Sequence, residues 1–307
     1  MDSRNLGIGI IILLQCTIGI LGNFSLFAYY LFIYYKKHKV KSTELILMHL
    51  TIVNFLIILS KGVCNTMAAF VLKLFYNDWS YQLFMYFLRV FRSMSIITIC
   101  LLSAFHTITI IPRNSCWKKL KAKSPKDIGL CISFCWVFYI IINVIFPLYM
   151  SIKLIRKNLT EETEFKLYTI VGYDKTTVSL YIAFFVFPEV VFSALITWTS
   201  SSMIVILYRH KQRVQYIRST QACQSSSPES RATQSILVLV FTFLGFYTLS
   251  AISHGCSALL HGHNSWLMDI TIILTLCFPT LSPFVHMSQL FSLSRFFFLW
   301  KKDTNSS

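Results

Sequence analysis

Charged side chains are scarce in this sequence, and acidic ones are the scarcest. Only 13% of the 307 residues are charged, and 12 Asp and Glu face 28 Lys and Arg. A soluble domain carries about a quarter charged residues, so this chain has too few to cover a water-facing surface. With 55% hydrophobic residues and a mean hydropathy of +0.62, the composition indicates a membrane protein and argues against nucleic-acid binding.

The chain also lacks the motifs of most enzyme classes. It has no Gly-rich phosphate loop, no paired-histidine metal motif on a helix, and no arrangement of nucleophile, base and acid. His261 and His263 have a spacing that suits a metal, but two histidines in one loop lack further ligands. We therefore predict no enzyme, no cofactor and no metal site. A transporter or channel is the alternative function, although the inverted repeats typical of transporters are not visible.

Long hydrophobic runs, in contrast, are abundant. A helix needs about 20 mostly apolar residues to cross a hydrocarbon core about 30 Å thick. Seven such runs predict an all-α membrane protein, in which residues 1–307 form a single domain with seven transmembrane helices. The predicted helices cover approximately residues 7–35, 44–72, 80–111, 128–150, 177–207, 233–260 and 266–290, followed by a cytosolic tail over 291–307.

The segments between these runs predict the orientation, because short loops rich in Lys and Arg stay in the cytosol. One set of alternate loops plus the tail contains 18 Lys and Arg, whereas the other set plus the amino terminus contains seven. The amino terminus is therefore expected outside and the carboxyl terminus inside. Asn158, in the sequon "NLT", then falls in a long outer loop and is the expected glycosylation site.

Motifs spread over the whole chain resemble those of the vomeronasal type-1 receptors, a family of rhodopsin-like G-protein-coupled receptors. "SPESRAT" beside "FPTLSPF" is the most specific combination. The other matching stretches are "GILGNFSLF" (19–27), "HLTIVNFLIILSKG" (49–62), "TITIIPRNS" (107–115) and "RHKQRVQYI" (209–217).

The resemblance implies a pheromone receptor in the plasma membrane of vomeronasal sensory neurons. Such a receptor binds small chemosignals in the outer half of the bundle and signals through heterotrimeric G proteins of the Gi/Go class. Its expected partners are a small-molecule pheromone ligand, a G protein and the lipid bilayer, with no nucleic acid.

Two expected features are missing here, one of the family and one of the wider rhodopsin-like superfamily. Similar receptors carry a cysteine near the outer end of the third helix and another in the second outer loop, where this chain has Tyr81 and Thr169. We therefore predict no disulfide at that place. The acidic-Arg signature that ends the third helix in the wider superfamily is also absent, and Arg113 is a candidate for part of the G-protein contact.

Ionisable residues inside membrane helices are costly, and they usually face the bundle interior or a watery cavity. Arg89 and Arg92 lie on one face of the third run, and Glu189 lies at a similar depth on the fifth. These residues predict a buried charge cluster in which Glu189 pairs with one arginine. The cluster suits either a polar anchor for a ligand, for example an anionic one, or a structural ion pair between helices.

Three further residues are candidates for the ligand site in the outer part of the bundle. Lys61 either extends to the membrane interface or pairs across the bundle with Asp269, near the start of the seventh run. His254 lies near the outer end of the sixth run, and helix packing explains it equally well.

The stretch "YRHKQRVQYIRST" continues the fifth hydrophobic run without a break and contains no acid. Anionic lipid headgroups contribute about 1 kcal/mol per nearby Lys or Arg, which accounts for its charge. The resemblance adds a second role, because Arg209, Lys211 and Arg213 would lie where such receptors contact a G protein.

Overall fold

The computed structural model describes residues 3–37, 41–63, 78–110, 125–158, 187–217, 228–259 and 265–304. Within these ranges the chain is all helical, and seven helices are long and apolar enough to cross a membrane. The predicted fold class is confirmed. The helices are α1 (Ser3–Lys37), α2 (Ser42–Ile57), α3 (Asp78–Ile110), α4 (Pro125–Asn158), α5 (Phe187–Ile217), α6 (Pro228–Leu259) and α7 (Ser265–Thr304), and α2 continues into a π-helical segment, Ile58–Val63.

Several helix ends lie beyond the limits of the hydrophobic runs, and α5, for example, ends at Ile217 instead of near residue 207. Helix α4 ends at Asn158 instead of near residue 150, and α7 ends at Thr304 instead of near residue 290. Hydrophobicity marks where a helix crosses lipid, and a helix can continue into water beyond that point. Most of the predicted tail is therefore helical.

The outward faces of α4 and α5 are apolar. Phe134 on α4 is 73% exposed and Trp198 on α5 is 75% exposed. Such exposure is costly in water and costs nothing in hydrocarbon, which agrees with a multi-pass membrane protein.

Helix α3 lies centrally and packs against α2, α4, α5 and α6. The largest core cluster surrounds it and includes Leu50 of α2, Ile99 of α3 and Phe243 of α6, each at most 2% exposed. A polar chain joins α4, α2 and α3 on one side of this core. Trp136 Nε1 donates to His49 Nε2 (2.8 Å), and the other ring nitrogen of His49 lies 3.0 Å from Thr98 Oγ1.

The contact between α1 and α7 depends on glycine. A Cβ added at Gly19 would lie 2.6 Å from Ile58 Cδ1 and 3.1 Å from Thr280 Oγ1, and one at Gly22 would lie 3.3 Å from the Pro283 ring. A side chain at either position would force its neighbours to shift, so glycine favours this close approach. We call this contact, together with its hydrogen bonds, the α1–α7 seam.

A side chain of α1 also repairs a defect in α7. Pro283 lies inside α7 and has no N–H, so the carbonyl of Pro279, four residues earlier, has no partner in the helix. Asn23 Nδ2 donates to that carbonyl at 2.9 Å. Nearby, Asn54 Nδ2 of α2 donates to Ser282 Oγ at 3.2 Å. These contacts give the seam neutral hydrogen bonds in addition to its close packing.

Candidate functional site

Arg92 of α3 contacts two other helices in the interior of the bundle. Its Nε donates to Glu189 Oε1 of α5 at 3.1 Å, and its Nη1 donates to Ser250 Oγ of α6 at 2.9 Å. The guanidinium carbon also lies 4.4 Å from the ring centroid of Tyr247, on α6. An ion pair, a hydroxyl and an aromatic face together replace the water that the cation gives up on burial.

The polar chain continues from α6 to α7. Ser250 Oγ accepts from Arg92, so its own hydroxyl is free to donate to Thr275 Oγ1, 3.1 Å away. Thr275 Oγ1 in turn donates to the Thr271 carbonyl at 2.7 Å. We call Arg92, Glu189, Tyr247, Ser250 and Thr275 the Arg92 network, and it joins α3, α5, α6 and α7.

The site is enclosed but incompletely sealed. The side chain of Arg92 is 15% exposed and that of Glu189 is 30% exposed. Glu189 is therefore closer to the outside of the bundle than its partner.

A cavity of about 30 Å³ adjoins the network. This volume is sufficient for about one water molecule and is far below the roughly 300 Å³ of a typical ligand pocket. In this conformation the cavity is therefore too small for a whole ligand. Its lining comprises Ile57, Arg92, Ser95, Phe243, Phe246, Tyr247, Ser250, Leu274, Thr275, Phe278 and Pro279.

The structure brings Arg92 and Glu189 together, as expected from their depth, and assigns the ion pair to Arg92 instead of Arg89. Arg89 lies almost one turn away on α3 and is half-buried. Lys61 lies in the π-helical segment, and Asp269 lies in the second turn of α7. Arg89, Lys61 and Asp269 each make an interaction, and they are not among the residues around the cavity.

Several predicted residues have no described side chain. His254 is in α6, and Lys211 and Arg213 are in α5, with side chains outside the described residues. Arg209 is exposed on α5. Asn158 is the last residue of α4 and Tyr81 lies in α3, and neither has a described side chain. The remaining predicted positions lie outside the described residues altogether: Arg113, Thr169, His261 and His263.

Sequence reasoning missed the hydroxyl and aromatic members of the network. Tyr247 and Ser250 are three residues apart on α6, and Thr271 and Thr275 are four apart on α7, so each pair lies on one helix face. The sequence signal for this network was a set of small hydroxyl residues at helical spacing on adjacent helices. Such residues are common in membrane helices, so the signal does not single out a site. Among the described residues, no group of three His, Cys, Asp or Glu fits a metal ion.

Comparison with known proteins identifies the family. Residues 6–299 match the model of the vomeronasal organ pheromone receptor family. Human vomeronasal type-1 receptor 4 is 44% identical over 302 residues, which cover 98% of this chain and 100% of the relative. Human vomeronasal type-1 receptor 2 is 44% identical, and the match covers 92% of this chain and 72% of that receptor. Human vomeronasal type-1 receptor 3 is 40% identical, and the match covers 94% of this chain and 93% of that receptor. The chain therefore belongs to the vomeronasal type-1 pheromone receptor family and is a multi-pass membrane receptor.

Proposed function

We propose that this protein is a plasma-membrane receptor for small chemosignals that binds its ligand at the Arg92 network and signals through a G protein of the Gi/Go class. The amino terminus faces outward in this proposal, because the Lys and Arg of the loops are concentrated on the other side. The network then lies in the outer half of the bundle. A small molecule from the extracellular fluid reaches it without crossing the membrane.

One observation carries the ligand-binding part of this proposal: a single cation contacts α5 and α6 directly, beside a cavity. Arg92 connects to α5 through Glu189 and to α6 through Ser250. A ligand that accepts a further hydrogen bond from Arg92 is linked to both helices through the same guanidinium. Binding therefore alters the packing of α5 and α6, and these helices extend to the basic inner face. A receptor requires such a link between its ligand site and its inner face.

The basic inner end of α5 supports the G-protein part. Helix α5 continues to Ile217, eleven residues beyond the end of its apolar span at Ile206. At about 1.5 Å per residue, this extension projects about 16 Å past the membrane. Arg209, Lys211 and Arg213 lie on the extension, and Arg209 is exposed. Together with Arg113 they form the proposed contact surface.

A reporter assay in cells supplied with Gi/Go proteins tests this function. The full chain carries an amino-terminal tag that is stained without permeabilisation, which measures both orientation and surface level. Volatile and steroidal compounds are then screened for a calcium or cAMP response that is absent from untransfected cells. Ion currents on expression without added ligand would favour a channel and contradict the proposal.

Charge reversal separates signalling from topology. The triple variant Arg209→Glu, Lys211→Glu, Arg213→Glu is expected to lose signalling at an unchanged surface level. Reversal of Lys36, Lys37 and Lys39 is the matched control, because it removes the same number of charges from another loop on the same side. If signalling and surface level fall equally in the α5 variant, these residues act only in orienting the protein in the membrane.

A further inference from the structure

We propose that the contact between α3 and α5 has two arrangements near the inner ends of these helices, and that two serines, Ser103 and Ser200, decide between them. In the resting arrangement, which is that of the structure, both hydroxyls are buried without a partner among the described residues. In the second arrangement the two hydroxyls bond to each other, and the receptor signals. The position of the serines, their burial and the neighbouring bond of Thr107 support this proposal.

Helices α3 and α5 lie side by side and run in the same direction. Arg92 Nε of α3 donates to Glu189 Oε1 of α5 at 3.1 Å. Further along both helices, Thr107 Oγ1 of α3 lies 3.2 Å from the Thr199 carbonyl oxygen of α5. Residues late in α3 thus contact residues late in α5, and the contact continues along most of the two apolar spans.

Ser103 and Ser200 occupy equivalent positions along this contact. Ser103 follows Arg92 by eleven residues, and Ser200 follows Glu189 by eleven residues. Eleven residues make about three whole turns of an α-helix, or about 16 Å. Each serine therefore lies on the face of its helix that carries the ion pair. Because the helices are parallel, the two serines also lie at the same level of the contact.

Both serine hydroxyls are buried. Ser103 is 0% exposed and Ser200 is 1% exposed, and neither Oγ atom has a hydrogen-bond partner in the part of the chain that the structure describes. Ser133 and Ser202 each donate to the carbonyl four residues earlier in their own helix, and the two buried serines do not use this local bond. A buried hydroxyl without a partner costs free energy, so both residues favour an arrangement that supplies one.

Each of the two serines can satisfy the other, because a hydroxyl both donates and accepts. Thr107 permits the movement that brings them together. Its Oγ1 donates to the Ser103 carbonyl of α3 at 2.8 Å as well as to the Thr199 carbonyl of α5. The bond to α5 can break without leaving the Thr107 hydroxyl unpaired. A shift of α5 against α3, without rearrangement of the other helices, therefore exchanges one bond between the helices for another.

Such a shift affects both ends of α5, and this step rests on the proposed function. Near the start of α5, Glu189 belongs to the proposed ligand site. At the other end, α5 extends from Ile206, where its apolar span ends, to Ile217 in the proposed G-protein contact. A ligand at one end and a G protein at the other then favour the same arrangement, so that each binding event promotes the other.

Replacement of the serines by alanine tests the proposal. Ser103→Ala and Ser200→Ala each remove an unpaired hydroxyl from the resting arrangement and a bonded hydroxyl from the second one. We expect each variant to raise the thermal midpoint of the purified, unliganded receptor by about 2 °C or more. Ligand-independent and ligand-stimulated signalling should fall about threefold or more at equal surface level. Ser202→Ala is the matched control on α5, because Ser202 bonds within its own helix, and it should change neither quantity.

Replacement of Thr107 should have the opposite effect. Thr107→Val keeps the shape of the side chain but removes its bond to α5, which belongs to the resting arrangement. We expect a lower thermal midpoint and a higher ligand-independent signal than in the wild type. Thr109→Val is the matched control on α3, because Thr109 is exposed and donates to the Phe105 carbonyl of its own helix.

The two readouts separate this proposal from the proposed function. If neither serine variant raises the midpoint, the proposal is overturned, because the hydroxyls then have a partner in the resting arrangement, such as an internal water molecule. A raised midpoint with unchanged signalling also overturns it, because the serines then affect stability alone. The midpoints require neither ligand nor G protein. If the surface-expressed wild type does not signal at all, the proposed function fails, and with it the assignment of the second arrangement to signalling.

Discussion

The α1–α7 seam and the Arg92 network both join helices through polar contacts, but they do so in opposite ways. The seam is neutral and closely packed. Its glycines lie against side-chain and backbone atoms of neighbouring helices, and the Asn23 amide donates to a backbone carbonyl. The network is charged, includes four helices and borders a cavity. The seam has no space for another molecule, whereas the network has both space and a donor. Packing that fixes the fold and packing that is proposed to respond to a ligand thus lie side by side in one bundle.

The largest expected effect comes from filling the seam. Gly19→Leu places a branched side chain where even a Cβ lies 2.6 Å from Ile58 Cδ1, and overpacking costs about 1–3 kcal/mol or more. We expect a severe loss of surface receptor by antibody staining. Gly7→Leu is the matched control on the same helix, because nothing lies within 4 Å of its Cβ. Equal losses in the two variants would show that the close approach does not matter.

Breaking the ion pair should have the next largest effect. Arg92→Ala leaves Glu189 without its counterion, and removing one partner of a fully buried pair costs about 3–5 kcal/mol. The 30% exposure of Glu189 reduces the expected cost to about 2 kcal/mol. Surface level should fall in part, and the ligand response should be lost entirely.

The double variant Arg92→Ala, Glu189→Ala sharpens this result. It removes both charges, so surface level should recover towards that of the wild type while the ligand response stays absent. If the response recovers together with surface level, the pair is only structural and the network is not a ligand site.

The repair of α7 should matter less than the ion pair. Asn23→Ala leaves the Pro279 carbonyl without its donor, and an unsatisfied buried polar group costs about 1–3 kcal/mol. We expect a lower thermal midpoint for the purified receptor, with ligand potency unchanged at equal surface level. Asn143→Ala is the control, because Asn143 also donates to a backbone carbonyl but within its own helix. A change in potency in Asn23→Ala would show that the seam also takes part in signalling.

The smallest effect on stability is expected at Ser250. Ser250→Ala removes the link from Arg92 to α6, and a typical hydrogen bond contributes about 1 kcal/mol. Thr275 keeps its bond to the Thr271 carbonyl, which limits the damage. Surface level should hold while potency falls by about three- to tenfold. An unchanged concentration–response curve would exclude Ser250 from the ligand site.

The sequence was sufficient for the seven helices and for the family, and it narrowed the partner of Glu189 to Arg89 or Arg92. Glu189 could be paired in advance with one of two arginines, because all three residues lie within apolar runs, where an unpaired charge is costly. The choice between Arg89 and Arg92 could not be made, because it depends on the rotation of α3 about its axis. That rotation follows from packing against four neighbouring helices.

Other features also depended on tertiary packing. The π-helical segment at Ile58–Val63 has no sequence signature, because Gly62 also suits an ordinary helix in a membrane. The cavity is a property of the gaps between side chains from α2, α3, α6 and α7. Hydropathy describes each helix by itself and contains no information about such gaps.

The amide of Asn23 has a consequence for how α7 can bend. In an ordinary helix much of the stiffness comes from hydrogen bonds within its own backbone. Pro283 transfers one of those bonds to a side chain on another helix, so the resistance of α7 to bending depends partly on α1. A single residue on the first helix therefore affects the mechanics of the last.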